Sequence, residues 1–151
     1  MISYRLSGFV KCDFGKERGL AKGGEKMISR IAELIADRIG KTTEYALASV
    51  QERGVLFIGE GVDVYEGMII GECAKDNDLN VNPVKPKKLT NIRTTASDGL
   101  TNLYGVKRMS LEKCIEWIDD DEWIEVTPKS IRLRKKVLAA NMRSVRKIDK
   151  S

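Results

Sequence analysis

Lys85, Lys87, Lys88, Asn91 and Arg93 crowd into one stretch of the chain, with Thr90, Thr94, Thr95 and Ser97 between and after them. No acidic residue falls between positions 80 and 97. Cations beside short hydroxyl and amide side chains can grip phosphates and hydrogen-bond to sugar or base edges, the chemistry that recognition of irregular RNA requires. The same residue types also suit a solvated surface loop with no ligand, and residue types alone do not choose between the two. A second basic set follows. From 128 to 151 there are nine Lys or Arg against the single Asp149, whereas 111–127 holds seven acids and one lysine. Arg132, Arg134, Lys135 and Lys136 open this set, and Arg143, Arg146, Lys147 and Lys150 continue it at helical spacing. Each cation that neutralises a phosphate releases counterions, so two such clusters point to a phosphate-rich partner.

Covalent chemistry has little to work with. The absence of histidine among 151 residues excludes hydrolases that need an imidazole base and zinc sites that need an imidazole ligand. Cys12, Cys73 and Cys114 are far apart with no C-x-x-C pair, and read as reduced, buried fillers in a reducing compartment. Gly40-Lys41-Thr42 mimics the end of a phosphate-binding P-loop, but Ile35 stands where the first glycine should be, so a turn is the better reading. Gly59, Gly61, Gly67 and Gly71 lack the spacing of a dinucleotide fingerprint and read as turn residues. Asp119, Asp120, Asp121 and Glu122 lack the ligand alternation of a calcium loop and read as a solvated turn. Trp117 and Trp123, beside Ile118 and Ile124, read as core-edge residues rather than base-stacking platforms. No catalytic residue and no metal site is assigned.

The elements that must carry these residues are partly visible. With 42% hydrophobic and 32% charged residues, the chain is an ordinary globular domain or two small ones. No apolar run approaches the roughly 20 residues of a membrane span, and residues 2–11 have no secretory pattern, so the expected location is cytoplasmic. Met27, Ile28, Ile31, Leu34 and Ile35 recur with helical period. Residues 42–46 read as a short strand passing into a single helical turn over 49–53, closed by Gly54. Strands follow over 55–58 and 68–70, with a turn at 59–61. Pro83 and Pro86 make 82–99 a long irregular loop. Ser110 caps a helix carrying Leu111, Cys114, Ile115 and Ile118 on one face. Two alternating strands hold Ile124 and Val126, then Ile131 and Leu133, with arginine on the outward face of the second.

The wording of the sequence adds to this. The run 51–71, then Asn77-Asp78, Val81-Asn82, the run 87–93, Ser97-Asp98 and the run 119–135 closely resemble the C-terminal part of the BipA/TypA family of ribosome-associated translational GTPases. The resemblance covers residues 40–138 and rests on several separate motifs in the right order. It implies an α+β fold: residues 1–72 as a partial ferredoxin-like βαββαβ module, similar to domain V of elongation factor G with its first strand missing. Residues 73–151 then form the family's mostly β C-terminal domain with one helix and a basic tail. It further implies that 4–9 is the remnant of a first helix and that 34–36 is a strand, which together with the helical period of 27–35 gives a helix ending near Ala32 and a strand after it.

In the family, the loop matching 82–98 reaches towards the peptidyl-transferase region, contacting large-subunit rRNA and the acceptor end of A-site tRNA. By resemblance, Lys85, Lys87, Lys88 and Arg93 hold RNA phosphates, Thr90 and Asn91 position the loop, and Arg132, Arg134, Lys135 and Lys136 add a second backbone contact. GTP and Mg2+ belong to the family's GTPase domain, whose P-loop, switch and guanine-specificity motifs are absent from these residues. The chain is therefore expected to be a fragment or truncated relative that neither binds nor hydrolyses GTP. The family's associated biology is translation under stress and large-subunit assembly. Two other readings stay open: a protein-interaction module that self-associates through an open sheet edge, and a non-functional remnant.

Overall fold

The computed structural model describes residues 32–87 and 103–143, together with the backbone of strands β1 (Ser3–Arg5) and β2 (Phe9–Cys12). The remaining elements are β3 (Glu33–Ala36), β4 (Gly40–Lys41), α1 (Glu44–Gln51), β5 (Gly54–Leu56), β6 (Asp63–Val64), β7 (Met68–Cys73), β8 (Leu79–Val81), α2 (Leu111–Trp117), β9 (Glu122–Val126) and β10 (Ile131–Lys135). A 3-10 turn, Ala140–Met142, follows. The mixed α+β class expected from the sequence is what forms.

One sheet of eight strands organises the chain, in the order β1-β2-β9-β10-β7-β3-β8, with β5 also paired to β7. β7 is its axis. One flank of β7 takes β10 at Met68 and Ile69 and then β5 from Gly71 to Cys73, while β3 occupies the other flank. Strands from before and after residue 73 therefore share a single sheet. All pairings are antiparallel except β3 with β8. β4 and β6 make a separate two-stranded ribbon.

The period-2 geometry of β7 builds a core on each face. Met68 and Ile70 join Leu34, Ala36, Leu47, Val50 and Leu56 in one cluster; Ile69 joins Cys114, Ile124 and Leu133 in the other. α1 thus covers one face and α2 the opposite one. Gly71 sits in this strand because a Cβ there would stand 2.5 Å from the Val55 carbonyl oxygen of β5. Cys73 and Cys114 are buried and unpaired. Trp117 packs edge-on against Phe57 with ring centroids 5.2 Å apart, a core-edge position as expected.

Two elements differ from the sequence reading. Residues 42–46 do not form a strand: Thr43 is the N-cap of α1, accepting a hydrogen bond from the Ala46 amide, and Ala46, Leu47 and Val50 supply the buried face. Tertiary burial of that stripe outweighs the β preference of the Thr-Thr pair. The segment 4–9 is not a helical remnant, because β1 and β2 form a hairpin whose second strand pairs with β9 from Val10 to Cys12. The strand expected at 34–36 is present as β3, and the helix expected before it lies outside the described residues. α2, capped by the Ser110 hydroxyl, and the β9–β10 pair form where the sequence placed them. No helix among the described residues is long and apolar enough to cross a membrane.

Candidate nucleic-acid interface

The basic loop follows β8 and is tied to the N-terminus of α1. At its start, the Thr43 amide donates to the Pro83 carbonyl at 3.1 Å and the Thr43 hydroxyl donates to the Lys85 carbonyl at 2.8 Å. Val84 closes over Gly40, where a Cβ would lie 2.6 Å from a Val84 methyl and where φ is +149°. Glycine is required at that position on both counts. At the loop's return, Leu103 packs on the α1-side core, and the Tyr104 amide donates to Gln51 Oε1 at 3.2 Å. Lys107 then joins β5 through the Leu56 carbonyl and pairs with Glu72 at 3.3 Å. Thr43 and Gln51 are eight residues apart on one helix, so the two anchor points stand roughly 12 Å from each other.

Lys85 and Lys87 are exposed on the anchored start of the loop. Lys88, Thr90, Asn91 and Arg93 lie outside the described residues, as do the tail residues 144–151. Gly40, Lys41 and Thr42 serve the fold rather than a phosphate: β4 pairs with β6, and the Thr42 hydroxyl donates to the Gly59 carbonyl and accepts from the Val62 amide.

The second basic run divides in two. Arg132 is half-buried and Lys136 is exposed. Arg134 and Lys135 are buried, 6% and 3% exposed, and neither presents its charge to solvent. Arg134 stacks 4.5 Å above the Trp123 ring, and its Nε approaches Glu125 Oε1 to 2.6 Å. Glu125 is itself held by the Tyr65 hydroxyl at 2.6 Å. On the outward face of β10, Arg134 is therefore covered and Arg132 half-buried, whereas the sequence reading placed arginine on that face throughout. Burial and the Glu125 carboxylate together raise the Tyr65 phenol above its ordinary range.

Lys135 sits among four carboxylates. Its Nζ lies 2.8 Å from Glu33 and from Glu122, 3.3 Å from Asp121 and 3.7 Å from Asp78. Burial, reinforced by the Glu122 carboxylate beside it, pushes Glu33 up to about 10. Burial opposes the charge on Lys135, but Glu33 and Glu122 outweigh it and hold the ammonium above the ordinary lysine value. The cluster thus raises both groups, the Glu33 carboxyl chiefly through burial and the Lys135 ammonium through the acids around it. The acidic turn 119–122 is not merely solvated: Asp121 and Glu122 face this lysine. Among the described residues no group of acids, cysteines or histidines could hold a metal ion.

Strand alternation could have located this lysine, since residue 135 shares the inward face of residue 133. The acids that pair with it come from positions 33, 78, 121 and 122, so no local motif announces the cluster.

One sheet with a helix on each face, and a basic segment tied at residues 83–85 and again at Tyr104 to α1, define a domain of the α+β class. A sequence model of the TypA/BipA C-terminal domain matches residues 31–140, and the chain belongs to that family. It is 47% identical over 110 residues to the large ribosomal subunit assembly factor BipA of Bacillus subtilis, covering 73% of this chain and 18% of that protein. The protein of the same name from Haemophilus influenzae is 49% identical over 122 residues, covering 81% of this chain and 20% of the relative. That of Escherichia coli K12 is 50% identical over 110 residues, with 73% and 18% covered. The chain spans about one fifth of the length of these relatives.

Proposed function

We propose that this chain is a ribosome-binding module of a BipA/TypA-like translational GTPase, acting on the large ribosomal subunit through RNA contacts made by loop 82–98. In this reading Lys85, Lys87, Lys88 and Arg93 hold phosphates of large-subunit rRNA or of the acceptor end of A-site tRNA, and Thr90 and Asn91 set the loop's course. Arg132 and Lys136 supply a second backbone contact; Arg134 and Lys135 are structural, because their charges are already met by carboxylates. The observation that carries the reading is the double tether: a loop with exposed Lys85 and Lys87 is fixed at both ends on α1, which limits the entropy lost when it docks. Chemistry is not assigned to this chain; GTP hydrolysis with Mg2+ is the work of a GTPase domain elsewhere in proteins of this family. The relatives' name supports a role in assembly of the large subunit, and a part in cytoplasmic translation under stress belongs to the same proposal.

Self-association through a sheet edge would use β1 or β8, the terminal strands. β8 is three residues long and Arg143 reaches across to the Asn80 side chain at 2.7 Å, which counts against pairing at that edge.

Cosedimentation with purified large ribosomal subunits across a salt series tests the proposal. The chain pellets with the subunits, and a Lys87→Ala, Lys88→Ala, Arg93→Ala variant binds more weakly with a shallower salt dependence. A folded chain that stays in the supernatant at low salt would overturn it.

A further inference from the structure

Beside the loop's start, α1 and β8 flank a groove of about 220 Å³. Tyr45, Ser49 and Arg53 line it from the helix side at intervals of four residues, and Asn80, Asn82 and Lys85 line it from the strand side. Tyr45 is 46% exposed, so close to half of this aromatic side chain is turned to solvent. Arg53 and Lys85 are exposed and make no ion pair among the described residues. Among the described residues no carboxylate lines the groove; Glu44 and Glu52, beside Tyr45 and Arg53 in sequence, are outside its lining. Asn80 and Asn82 each have their amide oxygen engaged, by Arg143 and by the Val84 amide, which fixes the side chains with their NH2 groups available to donate.

We propose that this groove receives an unpaired nucleotide of single-stranded RNA, an additional contact that rests on the reading of loop 82–98 as RNA-binding. The base stacks on the Tyr45 ring, the flanking phosphates lie between Arg53 and Lys85, and the asparagine amides donate to base or sugar oxygens. An aromatic face next to cations is the usual platform for single strands, because every base offers a π-face whatever its sequence. Lys85 belongs to both the groove and the start of the loop, which makes the two continuous at that residue. An exposed tyrosine with two cations, and no acid among the described lining residues, suits a polyanion better than an acidic or apolar peptide.

The test is a fluorescence-anisotropy titration of the full chain with a labelled single-stranded oligouridylate, repeated with two sets of variants. Tyr45→Ala weakens binding about tenfold without changing the salt slope, and Tyr45→Phe, which keeps the ring, restores it. Arg53→Ala lowers the salt slope by about 0.7, the value for one phosphate contact on a single strand. The Lys87→Ala, Lys88→Ala, Arg93→Ala variant reports on the loop separately. Loss in both sets supports both sites. Loss with the loop variant alone overturns the groove, as when its true occupant is a protein, and leaves the loop standing; loss with Tyr45→Ala alone does the reverse. A parent chain that does not bind the probe overturns the groove as well. Circular dichroism of each variant excludes misfolding as the cause.

Discussion

Lys135→Met removes one positive charge from a site where Glu33, 1% exposed, and Glu122, 3% exposed, both stand 2.8 Å from the ammonium. Methionine approximates the length and volume of the lysine stem, so packing changes little and the electrostatic loss remains. Truncating one partner of a buried ion pair costs about 3–5 kcal/mol, because the other charge is left uncompensated. In a chain of this size about 1 kcal/mol moves the melting midpoint by roughly 2–4 °C, so the expected fall is roughly 6–20 °C. Adding Glu122→Gln removes the stranded anion and recovers about half of the loss, since the two positions couple directly. Lys136→Ala is the matched control: the side chain is exposed, and stability stays within about 0.5 kcal/mol of the parent. Thermal denaturation followed by circular dichroism near neutral pH reads all three variants. A Lys135→Met midpoint within about 2 °C of the parent would refute the buried counter-charge role and return this lysine to the RNA-binding set.

Thr43→Val keeps the branched side chain but removes the hydroxyl that caps α1 and tethers Lys85; it costs about 1–2 kcal/mol, and limited proteolysis shows trypsin cutting after Lys87 faster than in the parent. Gly71→Ala places a methyl against the Val55 carbonyl inside the sheet and costs about 1–3 kcal/mol, read as a lower urea midpoint. Burial pushes Glu33 up to about 10 in the folded chain, against an ordinary value of 4.5. Between those values the folded state binds the extra proton, so stability falls as pH rises through that window. Glu33→Gln removes the titration while still accepting from Lys135, and its urea midpoints change less between about pH 6 and about pH 9 than the parent's. Profiles that run parallel would contradict the assignment.

What the sequence revealed follows the range of the interactions involved. α2 was legible because Ser110 and the spacing of Leu111, Cys114 and Ile115 are local signals of a capped, one-sided helix. β9 and β10 were legible through alternation across a short turn. α1 was misread because Thr42 and Thr43 favour strand by propensity, while the cap at Thr43 and the burial of Leu47 and Val50 decide the outcome. The β1–β2 hairpin escaped notice because its partner, β9, is more than a hundred residues away. In the candidate site, the basic run 132–136 looked uniform, yet it sorts into exposed and buried cations according to acids that only the fold brings near. Tyr45 and Arg53 were overlooked for the same reason: the groove exists only once β8 lies beside α1.

The central claim is that loop 82–98 touches RNA of the large subunit, and a photo-crosslink tests it most directly. A benzophenone side chain placed at Asn91, irradiated with the chain bound to large ribosomal subunits carrying A-site tRNA, is predicted to join rRNA or the tRNA acceptor end. The same probe at Glu60, exposed in the turn between β5 and β6, is predicted to give no crosslink to the tRNA acceptor end. Crosslinks from Asn91 to ribosomal protein alone, or none while the chain remains bound, would contradict the account.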